Sequence, residues 1–242
     1  MRPLALLTLL ACSSLALFAA CQGDQDADVD VAVVDSTAAD SGAAEEVPNR
    51  TTDAARDAGE KPEAVMDFLA VDAGDQVADL FAGGGYYTYW LSQRVGADGT
   101  VFAQGASPGL EARTAAGDLA TATNITLVDS LSGLPTGALD AVLINRGYHL
   151  FEDPAELLAA LDRALAPGGV VGIVEVRLGA PEGHDMETHR MGEETIIGQF
   201  KAAGFTFVEA SELLKNPADD HTGFWEGRRH EADRMLLKFT KS

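Results

Sequence analysis

Cysteine is nearly absent from this chain: 242 residues hold two, Cys12 and Cys21. Both lie in an amino-terminal apolar stretch, so at most one remains after processing, which excludes an intramolecular disulfide in the mature protein. Basic residues are also scarce, with 17 Lys and Arg against 38 Asp and Glu and a formal charge of −21. That balance excludes nucleic acid and anionic lipid as partners held by surface charge, because phosphates reward Lys and Arg. Between Gln22 and Asn49 there is no aromatic residue and no lasting period. Such a segment cannot bury enough apolar area to offset its ordering entropy. Internal repeats are absent. Long apolar runs are confined to Leu4–Ala20, at about 17 residues the short limit for a bilayer span.

The amino end reads as an address followed by a tether. Met1 and Arg2 precede the apolar run, and Phe18-Ala19-Ala20 places small residues just before Cys21. This is the plan of a secretory signal with a small-residue cleavage site. Leu17-Phe18-Ala19-Ala20-Cys21 resembles a bacterial lipobox, with Phe18 where such boxes most often carry Leu. The resemblance implies lipidation of Cys21 and a protein exported to the periplasm or cell envelope, with simple secretion as the alternative. Several acyl chains on one residue would anchor it stably, and the lipid would be its only membrane contact. Residues 1–20 are therefore expected to be a signal peptide and 21–50 an acidic, disordered tether reaching about 30 Å by random-coil scaling. The alternating acids Asp24, Asp26, Asp28 and Asp30 lack the Gly and terminal Glu of a calcium loop.

Residues 51–242 read as one domain of alternating strands and helices. Pro62 to Leu69 opens with an amphipathic helix. Strands are expected at Gln76–Phe81, Thr100–Ala103, Ile125–Val128, Ala141–Asn145, Val170–Val176, Phe205–Val208 and Arg234–Thr240. Helices fall at Tyr86–Val95, Pro108–Ala122, from Asp153-Pro154 until Pro167-Gly168-Gly169 stops it, and Glu193–Ala203. This alternation predicts an α/β fold: a Rossmann-like, doubly wound, mostly parallel seven-stranded sheet with helices on both faces. Ligands then bind beyond the carboxyl ends of the strands. The stretches 179–192 and 212–233 are too long for plain turns and are candidate walls or lids.

Asp79-Leu80-Phe81-Ala82-Gly83-Gly84-Gly85-Tyr86-Tyr87-Thr88 is the most informative segment. Strand, glycines and helix in succession let backbone approach a ligand at a helix amino end. A dinucleotide fingerprint would want Gly where Thr88 stands and an acid where Gln104 stands. After strand four comes Asn145-Arg146-Gly147-Tyr148-His149, with an imidazole able to take a proton near neutral pH. His184, Asp185, Glu187 and His189 match no recognised metal spacing, so no metal is expected.

These motifs resemble the class I S-adenosylmethionine-dependent methyltransferases. The glycine loop, Asp140-Ala141-Val142 and Leu165-Ala166-Pro167-Gly168-Gly169 resemble that family's cofactor loop, fourth strand and later helix-to-strand turn. The closer likeness is to secreted bacterial predicted methyltransferases with a Gly-Gly-Gly-Tyr-Tyr loop. That group also carries a His-Arg pair, here His189-Arg190, and an Asp-Arg-x-x-x-Lys-Phe ending, here Asp233 to Phe239. The resemblance implies S-adenosylmethionine as cofactor and a small-molecule substrate. It gives Asp79 the task of orienting the loop or the methionine amino group, while Gly83 and Gly85 admit the cofactor to the backbone. Gln104 takes the ribose position and Asp129 or Ser130 the adenine. Asn145 faces the cofactor, and Tyr148, His149 and His189 are the candidate catalytic groups. Two departures, Phe81 for the family's first Gly and Gln104 for its carboxylate, predict weak cofactor binding. The rival reading is a non-catalytic, Rossmann-like ligand-binding lipoprotein.

Overall fold

The computed structural model describes residues 47–225 and 231–241. The signal, most of the tether and Cys21 lie outside the described residues. The described residues include a few ahead of the expected boundary at residue 51, and among them Asn49 caps a helix. Its side chain accepts from the backbone N–H groups of Thr51 and Thr52, while the Thr52 hydroxyl accepts from the Asn49 N–H. Short helices α1 (Arg50–Asp53) and α2 (Asp57–Glu60), linked by a 3-10 turn, lead into α3 (Pro62–Leu69).

The sheet strands are β1 (Gln76–Gly83), β2 (Thr100–Ala106), β3 (Ile125–Val128), β4 (Leu139–Asn145), β5 (Leu165–Val176), β8 (Phe205–Ser211) and β9 (Arg234–Lys241). Their spatial order is β3-β2-β1-β4-β5-β9-β8. The pairs from β3 to β5 are parallel, and β9 alone is reversed, antiparallel to both neighbours. The expected mostly parallel, seven-stranded, doubly wound sheet is what the chain forms. Period-two alternation explains its two buried faces. Ala78 and Leu80 of β1 pack with Leu157, Leu161, Ile196 and Phe200 of α6 (Ala155–Ala164) and α7 (Glu193–Ala202). Val77 packs on the other face with Val65 and Leu69 of α3 and Leu91 and Val95 of α4 (Tyr86–Val95).

Two helix ends differ from expectation. Helix α5 (Pro108–Ala116) stops at Gly117 instead of running to Ala122. A Cβ on Gly117 would stand 2.7 Å from Arg113 Cα, and the turn there brings Asp118 back onto the Arg113 guanidinium. Helix α6 ends at Ala164, ahead of Pro167. Leu165 already pairs with Leu139, and residues 166–169 bulge out before Val170 joins Ala141. Within 179–192, β6 (His184–Asp185) and β7 (Arg190–Met191) form a small ladder. Arg190 pins 212–225 by pairing with Asp219 and donating to the Gly223 carbonyl. Among the described residues, no helix is long and apolar enough to cross a membrane.

Candidate active site

Beyond the carboxyl end of β1 the backbone turns sharply. Phe81, Gly83 and Gly85 adopt φ of 58°, 50° and 79°, the left-handed region in which a Cβ is strained. Phe81 keeps this conformation without being Gly, and its ring packs edge-to-face on Phe151 at 5.5 Å. A Cβ on Gly147 would stand 2.4 Å from that ring, so the loops after β1 and β4 are in close contact. The two candidate cofactor glycines have different reasons to be glycine. At Gly83 an added Cβ would meet nothing closer than 3.9 Å, whereas at Gly85 it would stand 2.5 Å from Leu110. At Gly83 the backbone is open to close approach, whereas Gly85 is held to glycine by its φ and by Leu110 packing.

Asp79 is buried under the loop, and the Thr88 hydroxyl donates to it at 2.6 Å. Burial pushes its carboxyl up to about 7, against the Thr88 hydrogen bonds that favour the charged form.

The segment 47–60, of which the sequence reading placed 47–50 in the tether and the rest in the domain, packs on this loop. Pro48 lies against the positions of Gly84 and Gly109. The Tyr86 hydroxyl donates to Asp57 (2.9 Å) and that of Tyr87 to the Glu60 carbonyl (3.2 Å). Arg113 links Asp53, Asp118 and the Gly84 carbonyl. The sequence signal for this element was the Asn49–Thr52 box, easily lost among acids.

Two residues before the end of β2 and at the end of β4, on either side of β1, stand Gln104 and Asn145. The side-chain oxygen of each is buried and accepts no hydrogen bond. Asp129 and Ser130 follow β3, exposed, with the Ser130 hydroxyl 2.8 Å from that of Ser132. Tyr148 is a correction. Its ring is fully buried near Phe200, and its hydroxyl bonds Gln199 at 3.0 Å, so it belongs to the core.

His149 and His189 do come together. Nε2 of His149 is 3.1 Å from Nδ1 of His189, and Nδ1 of His149 is 3.0 Å from Glu175, a fully buried β5 carboxylate that sequence reasoning missed. The Trp225 indole N–H donates to the His189 carbonyl at 2.8 Å, and Phe224 lies 4.8 Å from the His189 ring. Arg146 stands over Trp225 at 5.6 Å and pairs with buried Glu60, which also binds Arg234 at 2.7 Å. Burial alone would raise the Glu60 carboxyl; Arg146, Arg234 and Arg56 overcome this and hold it below its ordinary value. Among the described residues, no group of three or more His, Cys, Asp or Glu could hold a metal ion.

Residues 78–173 match the methyltransferase-domain family model. The matched stretch runs from β1 into β5 and contains the glycine loop, Gln104, Asn145 and His149. A methyltransferase of Aquifex aeolicus, described as SAM dependent, superposes with a TM-score of 0.62 at 17% identity, covering 79% of this chain and 96% of its own. An S-adenosylmethionine-dependent methyltransferase of Mesorhizobium loti superposes at 0.56 and 20% identity, over 76% and 98%. The [4+2]-cyclase SpnF gives 0.58 at 17% identity, over 76% and 81%. No curated protein sequence matches the chain. Likeness at these identities shows the fold alone, and the family model that matches residues 78–173 is that of a methyltransferase domain. The residues present fit S-adenosylmethionine, the cofactor named for two of those neighbours. Two buried acceptors without partners flank β1, and Gly83 leaves room for close approach.

Proposed function

We propose that the protein is an exported, lipid-anchored methyltransferase that uses S-adenosylmethionine to methylate a small molecule. The observation that carries this reading is the pair of unsatisfied acceptors, Gln104 and Asn145, near the strand ends beside a left-handed glycine loop. Buried acceptors without donors are uncommon in native folds, and a ligand's hydroxyl or ammonium groups satisfy them. Gln104 would hold the ribose, Asn145 the methionine portion, and Asp129 and Ser130 the adenine side. When bound, the cofactor supplies an electrophilic methyl group. The chain's own task is alignment and exclusion of water, which Phe81, Phe151, Trp225 and the 47–60 segment serve by closing around the loop. His149 and His189 are the groups placed to handle a proton. The Leu17–Cys21 lipobox supports the anchor, and the acidic 21–46 stretch a tether to it.

One observation favours a second reading, a binding protein without transfer. The same fold serves a protein described as a cyclase, and Phe81 and Gln104 both depart from the family's cofactor pattern. Calorimetric titration of the full chain in detergent with S-adenosylmethionine and with its demethylated product separates the two. Saturable binding of both supports the enzyme, and binding of neither overturns it. For the anchor, labelled fatty acid should enter the wild type and not Cys21→Ser. Equal labelling of both excludes Cys21.

A further inference from the structure

Among the described residues, the large apolar side chains that stand exposed are Val47, Leu127, Leu150, Met186, Val208 and Phe224. Their distribution is uneven. Leu127 and Val208 sit singly on the edge strands β3 and β8, where one exposed apolar residue needs no explanation. The other four lie beyond the carboxyl ends of the parallel strands. Leu150 follows His149 in the turn after β4 and is 53% exposed. Met186, 51% exposed, stands in the β6–β7 turn two residues after His184, whose Nε2 lies 2.7 Å from the His149 carbonyl. Phe224, 46% exposed, packs on the ring of His189 in the same turn at 4.8 Å. One hairpin therefore gathers Leu150, Met186 and Phe224 around the outer side of the His149–His189 pair.

We propose that Leu150, Met186 and Phe224 form a docking surface for a zwitterionic lipid bilayer, which turns the candidate site toward the membrane. The proposal rests on the exported, lipid-anchored reading and adds a second membrane contact to the acyl group. The place where the chain enters the domain favours this occupant. The described chain begins at Val47, and Pro48 lies against the positions of Gly84 and Gly109, in the loops after β1 and β2. Strand spacing of about 4.8 Å puts that entry about 10 to 15 Å from the loops after β4 and β5, on the same end of the sheet. About 25 residues separate Cys21 from Val47, a random-coil reach on the order of 30 Å. A domain of about 190 residues is about 40 Å across. An anchor at Cys21 thus brings the end that carries the patch to the lipid and leaves the opposite end beyond its mean reach.

Charge selects the lipid. The exposed acids Glu152, Asp153, Glu182 and Glu187 stand on the same loops as Leu150 and Met186. An anionic surface repels them, whereas a neutral headgroup layer does not. The apolar side chains can then leave water for the acyl boundary, as apolar groups on peripheral membrane proteins do. Three side chains alone hold a bilayer weakly, and the anchor supplies the missing affinity by raising the local lipid concentration. The rival occupant is a second copy of the chain. It is disfavoured because each copy carries a formal charge of −21 and the acids of both would meet around the patch.

The test uses the full chain with Trp90→Phe, which leaves Trp225 as its only tryptophan. Trp225 lies 5.8 Å from Phe224 and so reports on the patch. The chain is mixed with phosphatidylcholine vesicles whose acyl chains carry bromine, a contact quencher of indole, and bound chain is collected by flotation. Trp225 emission should be quenched on these vesicles and not on unbrominated ones. Leu150→Ser with Met186→Ser should abolish the quenching while the protein still floats and melts as before, since substitutions at exposed positions are near neutral. Leu127→Ser with Val208→Ser, a comparable loss of exposed apolar surface on the edge strands, should leave it intact. Mixing in phosphatidylglycerol should weaken the quenching, and salt should restore it. Floated chain without quenching overturns the docking surface. So does quenching that survives in the Leu150/Met186 variant or grows with phosphatidylglycerol. Self-association on sedimentation, lost in that variant and accompanied by no quenching, assigns the patch to a second copy instead. A chain that does not float defeats the anchor reading alone. The patch is then read at on the order of 100-fold more lipid, which replaces the concentration a tether supplies. There the parent chain should still be quenched and the Leu150/Met186 variant not, and an unquenched parent chain overturns the patch.

Discussion

One terminal nitrogen of Arg146 donates to both carboxylate oxygens of Glu60, at 2.9 and 3.2 Å, joining the loop after β4 to the end of α2. Arg234 at the start of β9 binds the same carboxylate, so Glu60 is the shared counter-ion of two guanidinium groups whose side chains are largely buried.

Glu60→Gln should therefore destabilise the fold by about 3 to 5 kcal/mol, because it leaves buried charge uncompensated. Urea unfolding at neutral pH measures this. The lowered carboxyl also gives a pH signature. Its stabilisation is present above the ordinary value of 4.5 and is lost as pH falls through the lower folded value. Acid unfolding of the variant should lack this component, and a stability within 1 kcal/mol of wild type would show that the cluster is dispensable.

Asp79 has the opposite sign. Its carboxyl is raised to about 7 by burial, so its contribution is complete below about 3.9 and is lost as pH rises through 7. Three units correspond to roughly 4 kcal/mol between pH 4 and pH 8. Asp79→Asn keeps an acceptor for the Thr88 hydroxyl and removes the titration. The variant should equal or exceed wild type in stability at pH 8 and fall short of it near pH 5. Parallel stability curves for the two proteins would show that Asp79 does not titrate in this window.

The glycine loop separates folding from binding. Gly85→Ala should unfold easily, by about 2 to 3 kcal/mol, since its Cβ meets Leu110 and its φ is left-handed. Gly83→Ala should cost about 1 kcal/mol for the φ alone, and its main loss should be cofactor affinity. Thermal melts and calorimetry on both variants decide this; matched losses of affinity per unit of stability would assign the two glycines one role.

Regular elements were legible because period and punctuation agree there: Gln76 to Val95 reads strand, glycines, helix, and folds so. The site was legible only in part. His149 and His189 could be singled out as chemistry, but their contact depends on a left-handed His189 backbone and a Trp225 hydrogen bond, both tertiary in origin. Glu175 had a signal that went unread, a single acid inside the apolar run Val170–Val176. An acid in a buried strand needs donors, and the loop after β4 provides them. Tyr148 was misplaced for the converse reason. A residue next to His149 in a loop looks equally exposed, yet the 3-10 turn at Tyr148–Leu150 sends it to the α7 side.

Gln104 decides how tightly the cofactor is held. Its oxygen is buried and accepts no hydrogen bond, and the residue lies near the end of β2, between Leu80 of β1 and Val128 of β3. A carboxylate there would accept from both ribose hydroxyls, and charge-assisted bonds are roughly twice as strong as neutral ones. The neutral amide accepts through one oxygen and must donate through its nitrogen, a pairing weaker by about 1 to 1.5 kcal/mol, near tenfold in affinity. Wild type should therefore bind S-adenosylmethionine weakly, and Gln104→Glu several-fold more tightly, by calorimetry at pH 8. In the free protein the same change buries an unpaired charge, so Gln104→Glu should melt lower without ligand and recover when it is added. A variant that melts lower and binds no better would mean that the ribose does not sit at β2.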